Sequence, residues 1–386
     1  MREMGKVYVA GVGLTKVAEH WERSLENLMA EAAVAAVKDA GVSGVDSIYV
    51  GNMAGEVLQE QAHLGAIISE AIGMNGVPAF RVEASEASGA AAIYSAAMEI
   101  SSGRADAILV VGGEKLSDGL AEEVESALMM GGRNDQVAAA GASFISLNAL
   151  LYRLYLKHHD SSEEEVAMFP VLSHEHATGV PHAQYPFKIT LDKVLASPYI
   201  AKPLRRFETT GIGDGAAALI LVGERLAGKL DSPKTELHIA SSTDYLSPFD
   251  REDPLFFSAL ARATKEALRY ARAERGDVGI IELHDATSIM AALSLESTGF
   301  SGKGQAGKMA HAGEFNLNGT YPVNTFGGLK ARGHPIGATA IYQVAELHLQ
   351  LTNRAGKNQV DGRNIGIAQS LGGVAATAVV TVLKQV

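Results

Sequence analysis

Three short stretches hold residues able to do chemistry. In "VEASEASGAAAIY" (82–94), Glu86 stands on a turn that runs into a small-residue helix, where a buried site would place its nucleophile or base. In "ELHDA" (282–286), His284 ends an apolar run that reads as a strand, and open parallel sheets put ligand sites at such ends. In "NTFGGLKARGHPIGAT" (324–339), His334 lies in a glycine-rich turn whose backbone N–H groups suit an anion or oxyanion. "SLGGVAA" (370–376) adds another such turn, with Gly372 as a backbone donor. One carboxyl and two imidazoles can move protons and polarise a carbonyl. Asn324, Gly333 and Ser370 are the candidate substrate contacts around them.

Alternating strands and helices must hold these residues. "KVYVAGVG" reads as a strand and "SLENLMAEAAVAAVKDAGV" as an amphipathic helix, with Ser24 as its N-cap and Gly41 as its stop. "SIYVGNM", "FRVEA" and "DAILVVGG" read as strands, with a helix over "AHLGAIISEAIG". This rhythm implies an α/β protein whose parallel sheet is covered on both faces. Residues 115–206 break the rhythm and read as an insertion containing a helix over 143–157.

The second half repeats the plan of the first. "GAAAIYSAA" (89–97) aligns with "GATAIYQVA" (337–345), six of nine positions being identical at an offset of 337 − 89 = 248. The same offset sets Glu86 opposite His334, since 86 + 248 = 334. The expected organisation is therefore a duplication. Residues 1–235, with the insertion 115–206 inside them, form one half, and residues 236–386 form the other. The two matching helices are expected to meet near a pseudo-dyad.

Composition bounds the function. A net charge of −11 over 386 residues speaks against nucleic acid or an anionic membrane as partner. There is no cysteine, which excludes disulfides, thiolate metal sites and a thiol nucleophile. His174, His176 and His182, with Glu175, read as a loop cluster without helical ligand spacing, so no metal is expected. Arg205, Arg206, Lys330 and Arg332 read as surface charges, with contact to ligand phosphates as the alternative. No apolar stretch reaches membrane-spanning length, and no signal peptide follows the first charges, which makes the cytoplasm the expected compartment.

"GVGLTKV", "VGNM", "VEAxxASG", "PHAQY", "SPYIAKPLRRFETTGIGDGAAA", "ELHDA", "GGLKARGHPIGAT" and "SLGG" together resemble the thiolase superfamily, above all its sterol-carrier-protein type and archaeal members, over essentially the whole chain. The resemblance implies a duplicated five-layered αβαβα fold with an insertion domain, a CoA thioester as substrate or ligand with no other cofactor, and a homodimer or homotetramer. It also implies an acetyl-CoA acetyltransferase or 3-ketoacyl-CoA thiolase label, and as partners a zinc-ribbon/OB-fold acyl-CoA-associated protein and a hydroxymethylglutaryl-CoA synthase. In that family acyl transfer runs through a cysteine at the position of Glu86. His334 would activate that thiolate and line an oxyanion hole, and His284 would complete the hole. The Glu86 N–H and Gly372 would form a second hole. This chain departs from the pattern twice more, because the acid/base cysteine positions of the two thiolase types hold Ala286 and Ser370.

Four roles are open to Glu86. It could close a structural ion cluster with the two histidines in a non-catalytic scaffold, ionised at a positive helix end. It could act as a general base on a bound thioester, although a paired carboxylate at a helix start should have too low a pKa for this. It could support decarboxylation, or form a glutamyl anhydride. An open tunnel ending at Glu86 would favour catalysis and a closed one the scaffold.

Overall fold

A computed structural model describes residues 5–386. β1 (Val7–Leu14) leads into α1 (Leu25–Ala40). The cap expected at Ser24 forms, its side chain accepting from the Asn27 N–H at 3.1 Å, and Gly41 ends the helix at φ +70. β2 (Ser47–Gly51), β3 (Ala79–Val82), α2 (Ser88–Ser101) and β4 (Ala107–Glu114) follow. The inserted segment holds α3 (Phe144–His158) and α4 (Met168–His176), after which β5 (Gly215–Gly223) returns to the sheet. The second half runs β6 (Thr235–Thr243), α5 (Ser258–Ala271), β7 (Ile280–Glu282), α6 (Ser288–Ser297), α7 (Thr339–Leu351), β8 (Ile365–Gly372) and β9 (Thr377–Gln385).

The strand order is β3-β2-β4-β5-β1-β6-β9-β8-β7. In the first half β2 lies parallel between β3 and β4, then β5 and β1 follow antiparallel. In the second, β7 and β8 are parallel, and β9 and β6 follow antiparallel. A parallel bridge from Ile281 to Val323 stands where β3 stands in the first half. Order and polarity therefore repeat, as a duplication requires. The half-sheets, expected as separate layers, are hydrogen-bonded edge to edge where Val7, Tyr8 and Val9 meet Leu237, Glu236 and Thr235.

Burying apolar surface drives the layering. One core lies between α1 and the first half-sheet, another between the second half-sheet and α5, α6 and the insertion. The third core joins α2 and α7 to both half-sheets. This is the αβαβα order, with α2 and α7 as its central layer. The two helices touch at their first turns, where backbone meets backbone. A Cβ on Gly89 would lie 2.5 Å from the Gly337 carbonyl oxygen, and one on Gly112 would lie 2.3 Å from the same atom. Only glycine permits that approach. Among the described residues no helix is long and apolar enough to cross a membrane.

Glu114, fully buried at the end of β4, ties the halves together. Its carboxylate accepts from Asn52 Nδ2 (2.7 Å), Ala54 N (3.0 Å) and Met53 N (3.1 Å), and from Gly337 N across the pseudo-dyad (3.0 Å). Burial pushes its pKa from 4.5 up to about 7 against the pull of these donors. Between those values the native protein holds a proton that the unfolded chain has released, so this group makes stability fall as pH rises through that window. The expected result is that Glu114→Gln shrinks the loss of unfolding free energy between pH 5 and pH 8 by about 2–3 kcal/mol. Urea midpoints at the two pH values test it.

Candidate active site

The turn carrying Glu86 is locked by its neighbours. Ser85 takes φ +55, a left-handed conformation that costs a non-glycine residue energy and recurs at functional turns. Ser88 holds the turn from both ends, its Oγ donating to the Ser85 carbonyl (2.5 Å) and accepting from the Ala84 N–H (3.0 Å). α2 then starts inside the protein, leaving Glu86 only 2% exposed. Ser85 Oγ donates to Glu86 Oε2 at 2.5 Å, and the Gly373 N–H donates to the same oxygen at 2.6 Å.

Burial pushes the Glu86 carboxyl above its ordinary value, against the downward pull of Ser85, its own backbone N–H and Gly373. The expected low pKa is thereby corrected, because desolvation outweighs the helix end and its hydrogen bonds. The expected ion cluster is corrected too. Among the described residues no hydrogen bond or ion pair joins Glu86 to His284 or His334, and both rings are held neutral.

His284 follows β7 and is 1% exposed, while His334, ahead of α7, is 7% exposed. The rings meet edge to face with centroids 5.2 Å apart at 90°. Burial first, and then the Arg332 guanidinium, push His284 down to about 3. Burial, His284 and Arg332 hold His334 well below the usual histidine value. His334 Nδ1 lies 2.6 Å from Thr339 Oγ1, which also reaches the Pro335 carbonyl at 3.2 Å. If the threonine proton goes to Pro335, Nδ1 must carry the imidazole proton and Nε2 presents a lone pair. If it goes to His334, Nε2 is a donor. Rotation of one hydroxyl thus changes His334 from base to oxyanion donor.

The remaining candidates divide into two sets. Asn324, at φ +50, accepts from the Leu283 N–H through Oδ1 (2.7 Å) and so fixes the strand end that carries His284. Gly372 lies against the Glu86 turn, since a Cβ there would meet the Ala84 carbonyl oxygen at 2.5 Å. Ser370, on β8, is 2% exposed, and its Oγ has no hydrogen-bond partner among the described residues. The Nδ1 of His284 is likewise unpartnered. Gly333 belongs elsewhere, packed by its Cα against Val17 and Gln184.

Sequence reasoning missed Gly373, although the second glycine of "SLGG" was a signal for it, and Asp285. One Asp285 carboxylate oxygen accepts from the Leu329 N–H (2.7 Å), and burial pushes this group up to about 6. It joins the His284 turn to the loop leading to His334.

Lys330 and Arg332 are not surface charges. Lys330 is buried, donates to the Thr209 carbonyl at 2.7 Å and is pushed down by burial to about 8. Arg332 is 0% exposed, with Nε 3.3 Å from Glu346 Oε1 and its guanidinium 4.6 Å over the Tyr342 ring. His174 and His176 lie on α4 rather than in a loop, and each bonds a different backbone carbonyl. His182 bonds Glu346 at 2.9 Å. Among the described residues no group of His, Asp or Glu is placed to hold a metal. A cavity lined by Leu128, Phe144, Leu147, Leu246 and Val374 reaches Gly373, but at about 20 Å³ it has room for a single water. Its lining includes neither Glu86 nor the two histidines.

The duplicated α/β fold is that of solved thiolase structures. The solved structure titled "Ltp2-ChsH2(DUF35) aldolase" matches it with TM-score 0.86 at 20% identity, covering 99% of this chain and 98% of that one. The family description "Thiolase, N-terminal domain" matches residues 7–225, and "Thiolase C-terminal domain-like" matches residues 240–385. Acetyl-CoA acetyltransferase of Methanothermobacter thermautotrophicus is 37% identical over 99% of this chain and 100% of its own. Human sterol carrier protein 2 is 30% identical over 98% of this chain and 72% of its own. The chain belongs to the thiolase superfamily.

Proposed function

We propose that the protein binds acyl-CoA thioesters and acts on them without a covalent acyl-enzyme. The observation that carries this reading is Glu86, a buried carboxyl whose pKa desolvation raises, on the turn where the family resemblance puts a nucleophilic cysteine. With His284 and His334 neutral, two imidazoles stand ready to polarise a thioester carbonyl, and burial strengthens Glu86 as a base. Carbon–carbon chemistry of the thioester follows from these groups. A structure of this fold named an aldolase supports it.

The second reading is a non-catalytic subunit beside a catalytic partner, such as a zinc-ribbon/OB-fold acyl-CoA-associated protein. The closure of the site around Glu86 favours it. Under either reading, two copies would pair through β3, an edge strand whose Phe80 is 56% exposed.

Calorimetric titration with acetyl-CoA and acetoacetyl-CoA, with thioester loss followed in the same samples, separates the readings. Binding is expected, and absence of binding would leave the scaffold. Thiolysis is expected to stay absent in Glu86→Cys alone, because the acid/base thiol is missing as well. Adding Ser370→Cys to that variant should raise thiolysis by about 10²-fold, the usual contribution of one positioned acid/base group.

A further inference from the structure

We infer that the substrate class is the 3-hydroxyacyl thioester, cleaved to a shorter acyl thioester and an aldehyde or ketone, or built from them in reverse. The inference rests on the acyl-thioester reading above.

The first argument is electron bookkeeping. Cleaving the Cα–Cβ bond of a 3-oxoacyl thioester leaves an acyl fragment that a thiolate or water must capture. This chain has no cysteine, and the residues at the three relevant positions are Glu86, Ala286 and Ser370. A 3-hydroxyacyl thioester needs no nucleophile. A base takes the proton of the 3-hydroxyl, the O–H pair becomes the C=O bond, and the Cα–Cβ pair moves into the thioester as an enolate. The proton is then returned to Cα. No oxidant, reductant or second substrate enters, and the proton count closes.

The second argument is which polar atoms lie unpartnered. β7 and β8 pair in parallel with Ala368 opposite Glu282. The register continues beyond the assigned strand, because Gln343 Nε2 reaches both the Leu283 carbonyl (2.8 Å) and the Gln369 carbonyl (3.2 Å). The next positions are His284 and Ser370, neighbours on adjacent strands whose side chains leave the same face. These are the residues whose Nδ1 and Oγ are buried without a hydrogen bond. Leaving such atoms unmade is expensive, so they mark where a ligand's polar group belongs.

A substrate hydroxyl both donates and accepts, and so satisfies a serine hydroxyl and an imidazole nitrogen together. A keto oxygen only accepts. Glu86 reaches the turn after β8, with the Ser85 and Gly373 bonds both on Oε2 and neither on Oε1. This leaves one carboxylate oxygen for the substrate proton, while His334 faces His284 and stands by the developing enolate.

The test uses the whole chain and a panel of 3-hydroxyacyl-CoA thioesters with short linear, branched and phenyl side chains, in the absence of free CoA. Acetyl-CoA and aldehyde are measured together. The expected result is 1:1 release from at least one member, falling by 10²-fold or more in Glu86→Gln while binding of the thioester is retained. Ser370→Ala is expected to raise KM more than it lowers kcat. Binding without aldehyde from any member would overturn the inference and leave the acyl-thioester reading intact. Aldehyde release undiminished in Glu86→Gln would also overturn it. If no member binds, the acyl-thioester reading falls as well.

Discussion

Arg332→Leu will lower the unfolding free energy by about 3–5 kcal/mol, the usual effect of removing one partner from a buried ion pair. The arginine is fully buried and lies beside Glu346, and its charge also acts on Glu282, whose carboxyl burial and the Glu346 charge already push up. Leucine fills part of the volume but leaves two buried carboxyls facing each other without that cation. It also loses the stack on Tyr342 and the bond from Nη1 to the Gly333 carbonyl (3.0 Å). The variant has a second consequence at the site. Because Arg332 helps to hold His284 and His334 down, their pKa values will rise in the variant, and NMR titration of the rings reads this directly. An unfolding midpoint and ring titrations like those of the parent would refute both parts.

Gly337→Ala is expected to cost about 3 kcal/mol, at the upper end of overpacking, with loss of acyl-thioester binding. A Cβ at Gly337 would lie 2.6 Å from the Gly51 carbonyl oxygen, 2.7 Å from Asn52 Cα and 2.9 Å from the Gly113 carbonyl oxygen. All three are backbone atoms in or next to the sheet and cannot step aside by changing rotamer. The start of α7 must move instead, stretching the Glu114 bond and carrying the turn that holds His334. Circular dichroism melts and calorimetric titration of acetyl-CoA check the two halves of this expectation. A stable variant with unchanged binding would show that the crossing has slack.

Much of this was legible in the sequence. Apolar runs bounded by glycine gave the strands, Ser24 and Gly41 gave the ends of α1, and the repeated Ile-Tyr pair gave the two central helices. What resisted reading depends on burial, which local pattern does not encode. Glu86 was expected ionised because its helix position is visible in the sequence and its desolvation is not. Lys330 and Arg332 were placed at the surface because such residues are almost never fully buried unless paired, and their partners lie far away in the chain. α4 was read as loop, yet Pro170 sits in its first turn, where proline removes no helical hydrogen bond. Gly373 was passed over for Gly372 because β8 ends between them, and the turn at φ +58 that aims the Gly373 N–H is not visible in the sequence.

The glycine crossing of α2 and α7 also bears on how this chain can change over generations. Two copies of an ancestral half diverge freely where they face different surroundings, and strands, loops and the insertion have done so here. On the axis each helix is the other's surroundings. The contacts there are backbone atoms and no residue is smaller than glycine, so a larger residue on either side cannot be offset by a change on the other. The six matching positions among nine in these helices are then the trace of a mutual constraint. Variant libraries should find Gly89 and Gly337 intolerant both singly and together.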